Sequence, residues 1–356
     1  MKKLTVCILF GGISPEHEVS LRSAECILTN IDREKYDVYA VGITKEGQWI
    51  LYTGDDYSEL PKNIWQSHPG NRPAAISPVR GQGLLIFEDD GVQNVPLDAV
   101  FPVLHGENGE DGSIQGLLQL ADIACVGPHI AASAASMDKS LTKLIADQAG
   151  VRQADWLLVT AKTFAARPDA LLDQVEQKFT YPVFVKPAGT GSSVGVSKAK
   201  DRSALRDAIE DALRFDKKVL IEEFVDGHEV EVAVLGNDDP VASVCGEIDA
   251  GMEFYTYEAK YISNDSKTLI PARITPEQAE QVRQNAVKIF SAMGCQGLSR
   301  VDFFVTYATG EVVFNEINTI PGFTSISMYP KLFEASGIPC PQLIDKLLTL
   351  SLEAQH

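Results

Sequence analysis

Leu298-Ser-Arg300-Val-Asp302-Phe-Phe-Val305, a short turn at Ala308-Thr-Gly310, and Glu311-Val-Val-Phe-Asn315-Glu316-Ile-Asn318-Thr-Ile-Pro321-Gly322-Phe-Thr-Ser325 are the residues on which the fold turns. Two apolar, β-rich runs on either side of a glycine turn read as a hairpin. Polar groups stand inside it where packing alone would not put them. Residues i and i+2 share one face of a strand, so Glu316 and Asn318 point the same way. If Asp302 pairs beside them, three oxygen ligands converge. Such a set suits Mg²⁺, which takes few carboxylates and completes its shell with water and substrate phosphates. Arg300 shares the face of Asp302 and is expected to reach the same phosphates. The plain alternative is a half-exposed hairpin with solvated charges. An Asp, a Glu and an Asn among Phe and Val, just ahead of Pro321-Gly322, weigh against it.

The 356 residues favour two or three domains. Lys and Arg number 31 against 49 Asp and Glu, a formal charge of −18. That balance argues against nucleic acid or an anionic membrane as partner. A nucleotide stays open, because local Lys, Arg and backbone N–H groups can meet its phosphates. Six scattered cysteines without a Cys-x-x-Cys pair read as small core residues in a reducing cytoplasm. The apolar run after Lys2-Lys3 ends at Gly11-Gly12 and is read as a first buried strand, not a signal peptide. No apolar run approaches a membrane span.

In chain order, 5–10 should be a strand, 11–15 a loop and 16–30 a helix, with a further strand at 36–43. That is the opening of a βαβ unit and a parallel sheet. Ligands gather at the C-terminal ends of such strands, so the loop with Glu16 is a candidate site. Glu16 also suits a helix start for dipole reasons alone. Residues 54–83 read as an irregular connection, and 84–87 and 99–104 as short strands. The second runs into His105-Gly-Glu-Asn-Gly-Glu110-Asp-Gly112, a loop that needs unusual φ values. A helix at 113–120 and a strand at 123–126 precede a boundary near residue 127.

Ser136-Met-Asp-Lys139 opens a helix, where Lys139 could be a solvated charge. Residues 181–188 form a buried strand carrying Lys186, which is not there for packing. Gly189-Thr-Gly-Ser192-Ser193-Val-Gly-Val follows, a hydroxyl-rich loop able to wrap phosphate but not spelled as a P-loop. A helix at 201–215 and a strand at 219–225 come next, then a strand at 229–234. Residues 246–273 have no strong period and read as an excursion containing a lid over about 251–267. Helices are expected at 276–293 and 340–352.

Taken together, the hairpin resembles that of the ATP-grasp enzymes. The spelling Asn-Thr-Ile-Pro-Gly-Phe-Thr-Ser, with Glu-His-Glu-Val-Ser, His-Gly…Gly-Glu-Asp-Gly, Gly-Ser-Ser-Val-Gly and Tyr-Glu-Ala-Lys-Tyr, resembles the D-alanine–D-alanine ligases over nearly the whole chain. The resemblance implies an α/β chain, an ATP-grasp fold behind an N-terminal Rossmann-like domain. Its parts would be 1–126, 127–218 and 219–356. It implies ATP and two Mg²⁺ or Mn²⁺ ions, a homodimer in the cytoplasm, and a product destined for peptidoglycan. One D-alanine carboxylate would become an acyl phosphate, which a second D-alanine amine attacks. Glu16, Ser192 and Tyr261 would order the first amino acid and the lid, and Glu16 would hold its ammonium. Arg300 and the N–H of Gly322 would meet the tetrahedral oxyanion. ATP would contact Lys139, Lys186, Ser193, Lys260 and Asn315, with adenine along Glu222, Glu223, Phe224 and Val225 and ribose at Glu229. Asp302, Glu316 and Asn318 would hold metal. His105, Ser327 and Met328 would complete the substrate pocket. Lactate-using relatives carry a lid histidine, and this chain has none between His228 and His356. A D-serine or D-lactate ligase, or a non-catalytic ATP sensor on the same fold, are the rival readings.

Overall fold

The structure is a computed structural model that describes residues 2–249 and 267–355. The described strands form three sheets. In the first, β1 (Leu4–Gly11), β2 (Tyr36–Ile43), β7 (Ala99–Val103) and β8 (Ala124–Cys125) are parallel, in the order β2-β1-β7-β8. Antiparallel strands β3 (Trp49–Tyr52), β4 (Arg72–Ile76), β5 (Leu84–Glu88) and β6 (Gly91–Val95) extend it beyond β2. The second sheet holds β9 (Trp156–Thr160), β10 (Val183–Pro187), β11 (Ser197–Ala199) and β12 (Lys218–Glu223) in the order β11-β10-β12-β9. The third holds β13 (Gly227–Gly236), β14 (Val241–Asp249), β15 (Lys267–Leu269), β16 (Gly297–Thr306) and β17 (Val312–Asn318), in the order β15-β14-β13-β16-β17.

Strand β1 shows why the first sheet is buried on both faces. Val6, Ile8 and Phe10 enter one core and Cys7 and Leu9 the other, as the two-residue period requires. The first core also takes in Tyr329, Phe333, Leu343 and Leu347 from the helices Met328–Ala335 and Cys340–Ala354. The end of the chain therefore packs back on its beginning. Trp65 is fully buried against Phe10, ring centroids 5.1 Å apart. Its ring lies where a side chain at residue 42 would stand, 2.3 Å from a notional Cβ, so β2 carries glycine there.

The structure departs from the sequence reading in three places. Residues 54–83 are not wholly irregular: they contain β4 and two short 3₁₀ turns. Strands β3 and β6 were not foreseen, since β3 has four residues and β6 is exposed over four of its five. The expected limit at 218/219 cuts through β12, which pairs with β10 and β9, so the change of sheet falls between Glu223 and Gly227. Helices Ile130–Met137 and Lys139–Gln148 lie before the second sheet in sequence, yet Ala132 and Ala146 pack in the core of the third.

Candidate active site

A cleft of about 760 Å³ opens between the second and third sheets. Strand β10 carries Lys186 into it, and the end of β17 carries Asn315, Glu316 and Asn318. The pairing of β16 with β17 sets Asp302 opposite Glu316 and Arg300 opposite Asn318. A bulge follows: Phe303 pairs with Phe314, so Asn315 is the extra residue of β17. That extra residue turns Asn315 to the cleft, where Lys186 Nζ approaches its Oδ1 at 3.4 Å.

Lys186 is held on its other side by Glu222, Nζ to Oε2 at 2.7 Å. Lys143, from the helix Lys139–Gln148, reaches Oε1 of the same carboxylate at 3.3 Å. Burial would raise the Glu222 pKa, but the two ammonium groups hold it down at about 2. Burial also works against a charged Lys186; Glu222, with the charges of Glu316 and Glu229, outweighs it and leaves that pKa raised. For Lys143 burial wins and the pKa is lowered. The sequence reading gave Glu222 to adenine. The structure corrects this: its carboxylate is 3 % exposed and locks Lys186 in place. Glu223 also turns elsewhere, accepting from Asp155 N at 2.9 Å and pairing with Arg152. Phe224 is partly exposed, 6.0 Å from Phe184 ring to ring, with Lys198 Nζ 4.2 Å from its centroid.

The glycine loop closes another wall. Ser192 and Ser193 both take left-handed φ, 48° and 59°, and Gly195 takes 72°. Consecutive left-handed residues turn backbone N–H groups to one side, as anion nests do. Lys139 Nζ donates to Thr190 O in this loop, and Lys139 N donates to Ala188 O. Ser192 Oγ donates to Glu16 Oε1, which ties the loop to the start of the helix His17–Asn30.

Behind Asn318 lies the ion cluster. Arg300 donates to both carboxylate oxygens of Asp302, and its Nε stands 3.2 Å from Glu231. Asn318 Nδ2 also donates to Asp302, at 3.0 Å. Arg300 was expected to point at phosphates; here Asp302 takes its planar fork, because a bidentate carboxylate is the better partner at that range. Two carboxylates and an amide on one hairpin form a hard oxygen donor set. That chemistry fits Mg²⁺. Among the described residues no three His, Cys, Asp or Glu side chains gather as a metal cluster, consistent with a set that needs Asn318.

Residues 320–323 continue from the hairpin and are fastened to the first sheet's loops. His105 Nδ1 donates to Ile320 O at 2.9 Å, and Nε2 faces Ser23 Oγ at 3.2 Å. Ser23 Oγ in turn accepts from Phe323 N at 3.0 Å. Burial lowers the His105 pKa, as a neutral ring with one acceptor nitrogen requires. Glu110 accepts from Gly106 N at 2.7 Å and Ile320 N at 3.2 Å, and it lines the cleft. Gly322 lies where an added Cβ would stand 2.9 Å from Ser327 Oγ, so the loop needs glycine. Ser327 Oγ accepts from Thr324 N at 3.1 Å. Met328 does not join the pocket with its side chain, which is buried in the first core. Lys260 and Tyr261, with the expected lid, lie outside the described residues. Sequence reading missed Lys143 and the use of Glu110. The first sits in an ordinary amphipathic helix; the second was one acid of three in a glycine-rich loop.

The N-terminal model of the D-ala D-ala ligases matches residues 5–128, and their C-terminal model matches residues 145–349. The chain is 52% identical to a D-alanine–D-alanine ligase of Acetivibrio thermocellus over 363 residues, covering 99% of this chain and 96% of that one. It is 50% identical to one of Caldicellulosiruptor bescii over 354 residues, with the same coverage. Among solved structures, the VanG D-Ala:D-Ser ligase of Enterococcus faecalis is similar, with a TM-score of 0.89 at 39% identity over 98% of this chain and all of that one. The D-alanine–D-alanine ligase of Coxiella burnetii gives a TM-score of 0.84 at 34% identity, over 99% and 96% of the two chains. Two family models spanning most of the chain, and relatives at half identity over nearly all of it, show that the chain belongs to the D-alanine–D-alanine ligase family.

Proposed function

We propose that the cleft joins two D-alanines, with ATP as co-substrate, and that its parts divide the work as follows. The residues group as 1–126, then a central part extended to Glu223, then the remainder. The glycine loop, Lys139 and Lys186 bind the phosphates of ATP. Adenine lies along the backbone of 223–225 beside Phe224, with ribose at Glu229. Asp302, Glu316 and Asn318 hold Mg²⁺ or Mn²⁺, two ions in all. When bound, the metal neutralises phosphate charge.

Glu16, steadied by Ser192, holds the ammonium of the first D-alanine and so points its carboxylate at the γ-phosphate. That carboxylate displaces ADP to give an acyl phosphate. Phosphoryl transfer is chiefly positioning and electrostatics, so fixed cations matter more than a covalent helper. The amine of the second D-alanine then attacks, phosphate leaves, and D-alanyl-D-alanine remains. Arg300 and the Gly322 N–H suit the oxyanion of that step. His105 and Ser23 hold the 320–323 loop where Gly322 can serve; Ser327 lies against it. Lys260 and Tyr261 belong to the lid in this reading.

The observation that carries it is the approach of Lys186 Nζ to Asn315 Oδ1 across the cleft, 3.4 Å, with Glu222 locking the lysine. It brings a cation of one sheet to the candidate metal hairpin of the other. The test is phosphate release with ATP, Mg²⁺ and D-alanine, the product identified by mass. Release that ignores D-alanine sinks the reading. Joining to D-serine is the second reading, favoured by the likeness to the VanG structure. A homodimer in the cytoplasm completes the proposal. Light scattering tests the dimer, and cell fractionation the compartment.

A further inference from the structure

Glu110 is the one acid at the cleft wall that the proposed roles leave unused. Its loop and the loop of Glu16 meet at Gly106. A Cβ on Gly106 would stand 2.7 Å from Glu16 Oε2, while Gly106 N donates to Glu110 Oε2 at 2.7 Å. Only glycine, at φ 72°, leaves room for the two carboxylates to flank one residue.

We propose that Glu110 and Glu16 form a carboxylate pair around Gly106 that keeps a proton in the free enzyme and releases it when an amino acid's ammonium group occupies Glu16. The proposal rests on the reading of Glu16 as the ammonium site. Like charges close together in a dry site cannot both ionise cheaply, so one carboxyl stays neutral. Burial, then the charge of Glu16, raise the Glu110 pKa to about 8, against the N–H groups of Gly106 and Ile320 and the charge of Arg300.

The groups facing Glu110 each have a defined state. His105, beside it on Ile320, is kept neutral by burial. Asp111 accepts from Asn108 N and Ser113 N, both at 2.9 Å. Arg300 is paired with Asp302 and Glu231. The variable charge is therefore on Glu16. An arriving ammonium neutralises it and removes the repulsion. Glu110–COOH then becomes Glu110–COO⁻ and one proton goes to the solvent.

D-alanine is a zwitterion on both sides of this step near neutral pH, so it contributes no proton itself. With a pKa of about 8, Glu110 is about three-quarters protonated at pH 7.5, which sets the release available. By linkage, D-alanine should bind about fourfold more tightly at pH 8 than at pH 7.

The test is calorimetry of D-alanine binding to the full chain with Mg²⁺ and a non-hydrolysable ATP analogue. It is run at pH 7.5 in buffers of different ionisation enthalpy. Release of about half a proton or more is expected in the wild type, and none in Glu110→Gln. Binding heat without buffer dependence overturns the pair. Release that persists in Glu110→Gln also overturns it, since His105 or another group would then be the source. Should Glu110→Gln not fold, the wild-type affinity between pH 7 and 8 decides: a flat affinity overturns the proposal. Absent D-alanine binding, or binding indifferent to Glu16→Gln, strikes the reading of Glu16 instead, so the two failures are distinct.

Discussion

Arg300 grips Asp302 by two hydrogen bonds, Nε to Oδ1 at 2.8 Å and Nη2 to Oδ2 at 2.7 Å. The same carboxylate is the candidate metal ligand on β16. One acid thus orients the arginine and would meet the metal, so its loss should damage both functions. Asp302→Asn should lower turnover by at least about 10²-fold and raise the Mg²⁺ needed for half activity. It should also destabilise the fold by about 3 kcal/mol, because Arg300 keeps only Glu231 as a buried partner. Phosphate release titrated with Mg²⁺ and thermal unfolding check the two parts separately. Unchanged Mg²⁺ dependence would remove Asp302 from the metal set.

The trio Lys143–Glu222–Lys186 predicts an acid dependence. The Glu222 pKa is depressed to about 2 in the folded chain, below its unfolded value of about 4.3. A depressed carboxylate stabilises fully above the unfolded value, and that contribution fades as pH falls toward the folded value. Glu222→Gln should therefore destabilise by about 3 kcal/mol or more near neutrality. Its stability should fall less steeply than the wild type's between about pH 4.5 and pH 2. Urea unfolding across that range is the measurement. Parallel curves would show that Glu222 does not carry the linkage.

Ser23 predicts a loop effect. Its hydroxyl accepts from Phe323 N and faces His105 Nε2. Ser23→Ala leaves both groups buried without that partner, at a cost of about 1–3 kcal/mol. Gly322, one residue before Phe323, loses its fixed position. We expect kcat to fall by up to about 10²-fold while the KM for ATP stays near its wild-type value, since Ser23 does not touch the nucleotide walls. A rise in the ATP KM with unchanged kcat would refute this.

Much of the site was legible in the chain because strand parity is simple. Glu316 and Asn318 share a face whatever else happens, and Asp302 needed only the hairpin register. The bulge at Asn315 was not legible, since one extra residue leaves no mark in an apolar run. Glu222 was misread for a related reason: β12 is buried over residues 219–222, so alternation cannot tell the cleft face from the core face. Lys143 looked like any helix lysine until Glu222 was placed beside it. Met328 followed its apolar side chain into the core rather than its neighbours into the pocket. The N-terminal domain showed its parallel strands as long apolar runs, while β3 and β6 were too short or too polar to show.

The choice of second substrate gives the last prediction. The family's reaction needs an acceptor whose ammonium loses a proton before attack, whereas a D-lactate hydroxyl is uncharged near neutrality. A cationic side chain near the acceptor would draw in lactate's carboxylate and repel an ammonium. This chain has no histidine from 229 to 355, and Tyr261 stands in the Tyr-Glu-Ala-Lys-Tyr stretch. The described cations nearest the hairpin are committed, Arg300 to Asp302 and Lys186 to Glu222. We expect D-alanyl-D-alanine and little depsipeptide near pH 7.5. The preference should weaken as pH falls, because the amine becomes harder to deprotonate while the hydroxyl is unaffected. Tyr261→His should shift the ratio toward lactate, most below the imidazole's own pKa of about 6.5. Competition between equal D-alanine and D-lactate from pH 6 to 9, with products resolved by mass, is the measurement. Dominant depsipeptide from the unaltered chain near pH 7.5 would overturn the expectation. D-Serine carries the same ammonium, so this charge argument does not separate it from D-alanine. A third arm with D-serine tests pocket size and polarity alone, and its ratio to D-alanine should stay flat across the pH range, because both acceptors lose the same kind of proton.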